Sequence, residues 1–237
     1  LLQAIDRDFN INRIERYLTL CYASKVEPVI VLTKTDLVSH EQLATISGTI
    51  RERVKDVPLL AISNETREGY TALENMIEKG KTYCMLGSSG VGKSTLLNKL
   101  SGRDVMKTDA ISVHSNRGRH VTSHREMVVL DNGGILIDNP GMREVGIADT
   151  GSGLETTYDS ILSYADNCRF KDCTHTTETG CAVLQALEDG ELDPDSYDNY
   201  MKMQKEKAHF EASQLERRKK DKDLAKILKN YKKDMEG

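Results

Sequence analysis

The fold of this chain is decided by one glycine-rich stretch, Gly87-Ser88-Ser89-Gly90-Val91-Gly92-Lys93-Ser94-Thr95. It matches the pattern of glycine, four residues, glycine, lysine and then serine or threonine that is typical of a phosphate-binding loop, or P-loop. Residues 83–86 before it predict a short buried strand, and residues 94–100 predict a helix whose leucines face inward. Because this motif requires a strand, a glycine-rich turn and a helix in that order, a turn that merely packs a helix on a sheet is the weaker interpretation.

The residue types of the loop suit the wrapping of a polyphosphate by backbone. Its glycines allow the chain to bend close to the phosphates and to point N–H groups inward, at a helix N-terminus whose dipole favours an anion. Lys93 would supply positive charge to the outer phosphates, and the Ser94 hydroxyl is the expected magnesium ligand. The sequence therefore predicts that residues 87–95 bind a nucleotide.

Length, composition and cysteine content limit the classes of protein to which this chain could belong. A chain of 237 residues is long enough for one sizeable core and a smaller appendage. No apolar run approaches the roughly 20 residues of a membrane span and no leader precedes the first motif, so we expect a cytoplasmic protein without a membrane partner. Five cysteines, three of them close to a histidine, suit metal ligation better than disulfides. The other two, Cys21 and Cys84, occupy apolar positions and are predicted core residues.

The net charge of −4 hides an asymmetry along the chain. Residues 217–233 contain nine Lys or Arg against two Asp, a local balance of +7, so the rest of the chain carries −11. An acidic body with a basic tail is typical of a protein whose tail meets nucleic acid. A solvated helix face that keeps the terminus soluble is the alternative, and charge alone does not separate the two.

Two further loops carry candidate base-reading residues. One is the tetrapeptide Thr33-Lys34-Thr35-Asp36, which follows a predicted strand and resembles the Asn-Lys-x-Asp motif by which GTPases read guanine. A carboxylate at Asp36 could accept two hydrogen bonds from guanine, whereas adenine offers neither there. The other is Ser63-Asn64, which stands where GTPases usually carry Ser-Ala-Lys, a loop whose backbone meets the guanine oxygen. Because Thr33 replaces the usual asparagine, the sequence leaves the anchoring of its loop open.

The remaining phosphate-side candidates lie between residues 103 and 141. Thr122 in a long polar stretch could reach magnesium and sense the terminal phosphate, although an exposed basic loop without contacts is the alternative. Asp138-Asn139-Pro140-Gly141 fits Asp-x-x-Gly, in which the aspartate holds magnesium through water and the glycine N–H touches the terminal phosphate. Met142 stands where many GTPases place a water-orienting glutamine, so His120 is the candidate for that role.

A cysteine and histidine cluster follows, with the residues Cys168, Cys173, His175 and Cys181. Three thiolates and one imidazole make a closed tetrahedral zinc site, which is the structural kind, because four protein ligands leave no open position for catalysis. Unligated buried cysteines are the weaker interpretation, since the spacing is tight and the stretch is polar. Folding of residues 168–190 is therefore expected to depend on one zinc ion.

The order of these motifs is a circular permutation, because most GTPases begin with the P-loop and read the base last. It resembles the circularly permuted, ribosome-small-subunit-dependent GTPase family, and the specific marks are residues 118–120, residues 138–143 and the cysteine cluster. The resemblance implies GTP and GDP as ligands, magnesium and zinc as cofactors, and the small ribosomal subunit with its rRNA as partner. Family members carry an N-terminal OB-fold that is missing from this sequence, so we expect a fragment or a truncated form.

These patterns together predict an α/β protein with two domains. Residues 1–160 would form a circularly permuted P-loop GTPase domain, a mostly parallel sheet with helices on both faces, and residues 161–237 a small zinc-binding helical domain with the basic tail. The predicted function is hydrolysis of GTP by a monomer acting in small-subunit maturation, with Lys93 and His120 as catalytic residues. The alternatives are a nucleotide-sensing zinc RNA-binding module with little hydrolysis, and an ATPase.

Overall fold

The computed structural model describes residues 1–6, 9–103, 126–139 and 152–235. The chain divides into two compact units, Leu1–Val145 and Gly146–Gly237. The sequence places the boundary later, after residue 160. The division falls earlier because Leu154 and Tyr158 belong to the hydrophobic core of the second unit.

Within its described residues, the first unit has two three-stranded sheets, which a backbone hydrogen bond joins. The first sheet has the strand order β1-β2-β3 and is parallel throughout, with the strands β1 (Leu2–Ala4), β2 (Ile30–Thr33) and β3 (Leu59–Ala61). The second has the order β4-β6-β5, with the strands β4 (Thr82–Met85), β5 (Glu126–Val129) and β6 (Ile135–Asp138). β4 and β6 are parallel, and β5 and β6 form an antiparallel hairpin. The Leu2 N–H joins the two sheets by donating to the Leu86 carbonyl at 2.7 Å.

In the described residues, four α-helices and one 3-10 turn lie between these strands. The helices are α1 (Ile11–Ala23), α2 (His40–Arg53), α3 (Tyr70–Met76) and α4 (Lys93–Ser101), and the 3-10 turn is Thr35–Leu37. Asn10 caps α1, since its side-chain oxygen accepts the Arg13 N–H at 3.3 Å. Ser39 and Gln42 form a capping box at the start of α2. Local sequence signals therefore fix where these two helices begin.

Helices cover both faces of the β1-β2-β3 sheet, as predicted. Ile30 and Leu32 of β2 belong to the core that contains Leu18 of α1 and Ile50 of α2. Val31, between them, belongs to the opposite core, which contains residues of α3 and α4. Because successive side chains of a strand point to opposite faces, a strand with every residue buried needs a helical layer on each side.

The second unit is helical around a core of its own. Its helices are α5 (Gly153–Thr157), α6 (Asp159–Ala165), α7 (Ala182–Glu188) and the long α8 (Pro194–Met235). Asp193 caps α8, accepting the Ser196 N–H at 2.9 Å, and Pro194 takes the first helical position. Tyr200 and Met203 of α8 are buried in this core, so they pack rather than stack on bases.

Two expectations about exposure have different outcomes. Cys21 is buried as predicted, whereas the prediction for Cys84 is wrong because its side chain is exposed. β4 is covered on one face only: Met85 is buried in the core, whereas Thr82 and Cys84 face outward. A short apolar run does not distinguish a strand buried on one face from a strand buried on both. In the part of the chain described above, none of the helices is long and apolar enough to cross a membrane.

Candidate functional site

The P-loop lies between β4 and α4 and curls around the amine of its own lysine. Lys93 is buried, and its Nζ donates to the carbonyl oxygens of Gly87 at 2.8 Å and Ser88 at 2.9 Å. Burial lowers the pKa of Lys93, and the nearby Asp138 carboxylate opposes that shift. Gly87 is required by space, because a Cβ there would come within 2.5 Å of the Leu2 carbonyl oxygen. The loop therefore holds a cation at the position where phosphates would sit.

Asp138, at the end of β6, is brought beside this loop. The Ser94 hydroxyl donates to Asp138 Oδ2 at 3.2 Å. The Asp138 side chain is almost fully buried, and burial raises its pKa while Lys93 and the Ser94 hydrogen bond work in the other direction. Ser94 and Asp138, separated by 44 positions in the sequence, thus form one oxygen-donor pair.

This oxygen pair fits a magnesium ion. Asp138 Oδ1 is buried and has no hydrogen-bond partner among the residues that the structure describes. A buried carboxylate oxygen in that state is costly unless it meets a cation or a water molecule. A hydroxyl beside a carboxylate is also the oxygen donor set that magnesium takes together with the phosphates of a nucleotide. The donor chemistry at Ser94 and Asp138 therefore agrees with the predicted magnesium ligands.

The two predicted base-reading loops are in contact with each other. The Ser63 hydroxyl donates to Asp36 Oδ1 at 2.5 Å and accepts the N–H groups of Glu65 and Thr66, each at 3.1 Å. Ser63 is buried, whereas Asp36 is exposed to solvent at the loop surface. The carboxylate is thus held by a fixed donor on one side, and the rest of it remains open to a base.

The first of these loops is also tied to the P-loop. The Thr33 hydroxyl donates to the Val91 carbonyl at 2.7 Å, and Thr33 is 0% exposed. Lys34 has a left-handed backbone with φ of 61°, and its amine pairs with Asp6 at 2.6 Å. Thr35 is buried behind the loop. The anchoring that the sequence left open is therefore supplied by the Thr33 hydroxyl in place of the amide of an asparagine.

Several contacts to the P-loop were not predicted from the sequence. The Asn64 Nδ2 donates to the Gly92 carbonyl at 3.1 Å, and the Arg13 guanidinium on α1 donates to the Ser88 hydroxyl at 3.4 Å. Tyr70 donates to Asn64 Oδ1 at 2.7 Å, and Lys99 donates to the Asn64 carbonyl. No sequence motif predicts these contacts, since they join positions that lie up to 75 residues apart in the chain. The other P-loop positions are exposed at Ser89 and Gly90 and half-buried at Thr95.

Three predicted site residues, His120, Thr122 and Gly141, lie outside the described residues. Their roles therefore remain predictions.

In the second unit, the structure brings together all four predicted zinc ligands. The ligand atoms of Cys168, Cys173, His175 and Cys181 all lie within 4.8 Å of one another. His175 Nδ1 is 3.6 Å from Cys168 Sγ and 3.5 Å from Cys181 Sγ, and these two sulfurs are 3.9 Å apart. Tetrahedral zinc with ordinary bond lengths separates two sulfurs by about 3.8 Å and sulfur from nitrogen by about 3.6 Å. The donor set and its spacing thus fit the ion.

The loop around these ligands is held by hydrogen bonds of its own. Glu178 accepts the N–H groups of Thr174, Thr176 and Thr177 at 2.8, 2.9 and 3.1 Å. Tyr197 of α8 donates to the His175 carbonyl at 2.5 Å. Burial and the neighbouring thiols raise the pKa of Cys173 to about 11, a shift that a bound dication would reverse. The loop is therefore shaped by the chain and would be completed by the metal.

Comparison with known protein families matches residues 1–148 to the family described as RsgA GTPase. The chain belongs to the RsgA GTPase family. A small ribosomal subunit biogenesis GTPase RsgA 2 of Listeria monocytogenes is 46% identical over 88% of this chain and 60% of its own length. An RsgA 1 of Bacteroides thetaiotaomicron is 41% identical over 98% of this chain and 65% of its own. The chain thus spans about three fifths of the length of the curated relatives that it matches.

Two solved structures share the fold. YjeQ from Thermotoga maritima superposes with a TM-score of 0.60 at 28% identity, covering 85% of this chain and 68% of that one. YloQ, described as a circularly permuted GTPase, superposes with a TM-score of 0.63 at 28% identity, covering 87% and 66%. Together with the motif order and the mostly parallel sheet, these neighbours confirm the predicted fold class.

Proposed function

We propose that the chain binds GTP with magnesium and hydrolyses it to GDP and phosphate. The observation that carries the proposal is the convergence of three separate loops on the P-loop. Thr33 contacts Val91, Asn64 contacts Gly92, and Asp138 contacts Ser94. A site that reads a base and grips phosphates needs these elements within the reach of one nucleotide.

The base would be chosen by the Asp36 carboxylate. Its Oδ1 is fixed by the Ser63 hydroxyl, so the carboxylate is oriented before any ligand arrives. A preoriented carboxylate favours guanine, which offers a ring N–H and an amine, over adenine, which would leave the carboxylate unpaired. Because the Thr33 hydroxyl keeps this loop against the P-loop, the threonine at position 33 gives no ground for preferring an ATPase.

The phosphates would lie against Lys93 and the N-terminus of α4. In the structure, the Lys93 amine donates to two carbonyls of the P-loop. When a nucleotide binds, the amine could turn toward the outer phosphates and still lie within the loop. Ser94 and Asp138 would hold the magnesium ion, which supplies charge neutralisation at the phosphate oxygens when bound. The chain thus contributes positive charge that is already in place around the outer phosphates of the nucleotide.

We assign water orientation to His120, with Thr122 as a further magnesium ligand and Gly141 as a donor to the terminal phosphate. Met142 follows Gly141 in the sequence and has no group that could hold water. His120→Ala should therefore retain GTP binding and lose turnover. Unchanged single-turnover hydrolysis by this variant would reject the role.

The partner we propose is the small ribosomal subunit, contacted through its rRNA. Curated relatives at 38–46% identity are named as small ribosomal subunit biogenesis GTPases. The basic segment at residues 217–233 and the zinc cluster in the second unit are suited to RNA. We further propose that the protein acts as a cytoplasmic monomer and binds one structural zinc ion.

One experiment tests these proposals together. Single-turnover hydrolysis of labelled GTP is measured with this chain alone, with purified small ribosomal subunits, and with excess unlabelled ATP. We expect slow hydrolysis alone, faster hydrolysis with subunits, and little competition by ATP. Binding without turnover in both conditions would favour a nucleotide-sensing RNA-binding module, and equal competition by ATP would refute the assignment of guanine.

A further inference from the structure

Asn64 occupies an unusual place between the base-reading and phosphate-binding parts of the site. It is 8% exposed, although it lies in a loop. Its Nδ2 donates to the Gly92 carbonyl at 3.1 Å, at the residue that caps α4. The backbone of the same residue belongs to the loop that would meet the guanine oxygen. One side chain therefore links the two ends of the nucleotide site.

The orientation of this side-chain amide is fixed by the residues around it. The Tyr70 hydroxyl donates to Asn64 Oδ1 at 2.7 Å, which leaves the NH₂ group directed at the Gly92 carbonyl. Burial raises the pKa of Tyr70 to about 12, so this hydroxyl stays a donor at neutral pH. Gly92 has φ of 95°, and a Cβ there would come within 2.5 Å of Asn64 Nδ2. The contact thus depends on glycine at position 92 as well.

Thr33 makes the neighbouring contact, and the two contacts complement each other. Its hydroxyl donates to the Val91 carbonyl, directly before the Gly92 carbonyl that Asn64 reaches. A threonine has only one hydroxyl proton, so it cannot serve both carbonyls. An amide at position 33 would offer two N–H donors from the same side of the P-loop. The hydroxyl of Thr33 and the amide of Asn64 together provide the two donors that a single asparagine could provide.

We propose that Asn64 is a positioning residue that, together with Thr33, fixes the P-loop against the base-reading loops so that base and phosphates bind as one unit. This inference rests on the proposed binding of guanine nucleotide. Asn64→Ala removes the side-chain donor to the Gly92 carbonyl, which keeps only the Leu96 N–H of α4 at 2.9 Å, and so breaks the hydrogen bond between the α4 N-terminus and the base-reading loop. GDP affinity should then fall about tenfold, the effect expected for one lost buried hydrogen bond.

The test measures GDP affinity by titration calorimetry for the full chain and four variants. Asn64→Ala should weaken binding about tenfold, and Tyr70→Phe, which removes only a hydroxyl, by about threefold. Thr33→Asn combined with Asn64→Ala should restore binding to within about threefold of the wild type, because an amide is back within reach of both carbonyls. The matched control is Asn75→Ala, the same change at an exposed position of α3, which should leave binding unchanged.

The possible outcomes separate this inference from the proposed function. A wild-type chain that binds no GDP would overturn the proposed function and this inference with it. A wild-type chain that binds GDP, with Asn64→Ala within twofold of it, overturns the inference alone. Weakened binding that Thr33→Asn does not restore also overturns it, because a residue that merely packs the loop would not be rescued by an amide at position 33. Thermal unfolding without nucleotide shows whether each variant is folded.

Discussion

The buried ion pair between α1 and α2 should make the stability of the first unit sensitive to a single substitution. Arg53 Nε and Nη2 donate to the two oxygens of Glu15 at 3.0 and 2.8 Å, and Nη2 also donates to Asn12 at 2.8 Å. The side chains of Arg53 and Glu15 are 5% and 2% exposed. Arg53→Ala would remove the Arg53 guanidinium from the buried Glu15 carboxylate.

The size of the effect follows from that burial. Removing one partner of a buried, hydrogen-bonded pair costs about 3–5 kcal/mol, whereas an exposed pair contributes about 0–1 kcal/mol. In domains of about this size, each kcal/mol of lost stability lowers Tm by roughly 2–4 °C, so Tm should fall by roughly 6–20 °C. Replacing both residues by methionine should recover most of the loss, because no charge then remains buried.

The free energy of unfolding is measured by urea titration, monitored by circular dichroism. The transition of the first unit is the one that shifts when GDP is added. Arg51→Ala is the matched control, because Arg51 lies on the same helix with its side chain exposed, and its effect should stay within about 0.5 kcal/mol. A loss below about 1 kcal/mol for Arg53→Ala would refute the reasoning, since it would place the pair in the range of exposed ion pairs.

Three further predictions concern the base, the zinc and the magnesium. Asp36→Asn should lower the preference for GTP over ATP at least about tenfold, measured by competition, because an amide cannot accept both guanine donors. Metal analysis should find no bound zinc in the Cys173→Ser variant. The control variant Cys84→Ser should keep its zinc, because Cys84 is exposed and lies outside the cluster. Burial raises the pKa of Asp138, so magnesium-dependent GDP affinity should fall on acidification at a higher pH than for an exposed aspartate. The Lys93 amine lowers the pKa of Asp138 and the Glu126 carboxylate raises it further. The Asp138→Asn variant should lose the pH dependence of magnesium-dependent GDP affinity.

Features encoded within a few neighbouring residues could be predicted from the sequence. The caps at Asn10, Ser39 and Asp193 each accept an N–H three positions on, so a short pattern is enough to locate them. The zinc ligands are equally local, because Cys168 and Cys181 are separated by 13 positions. The P-loop owes its shape to its own glycines.

Contacts between distant positions could not be predicted in the same way. The Thr33 to Val91 contact spans 58 positions and the Arg53 to Glu15 pair spans 38, and a single sequence shows no pattern for either. The exposure of Cys84 depends on what covers one face of β4, which the apolar run does not record. The boundary between the units depends on Leu154 joining a core made of residues from later helices.

The contacts also explain why a GTPase fold tolerates a rearranged order of motifs. β2, β3, β4 and β6 end at Thr33, Ala61, Met85 and Asp138. The segments at or just after those ends touch one another: Thr33 meets Val91, Asn64 meets Gly92, and Asp138 meets Ser94. All four strand ends therefore lie at one edge of the unit. Ligands of open α/β sheets bind at such an edge, where strand order and loop position determine the site. The chain can therefore be cut and rejoined elsewhere without moving the residues that we propose to meet the nucleotide.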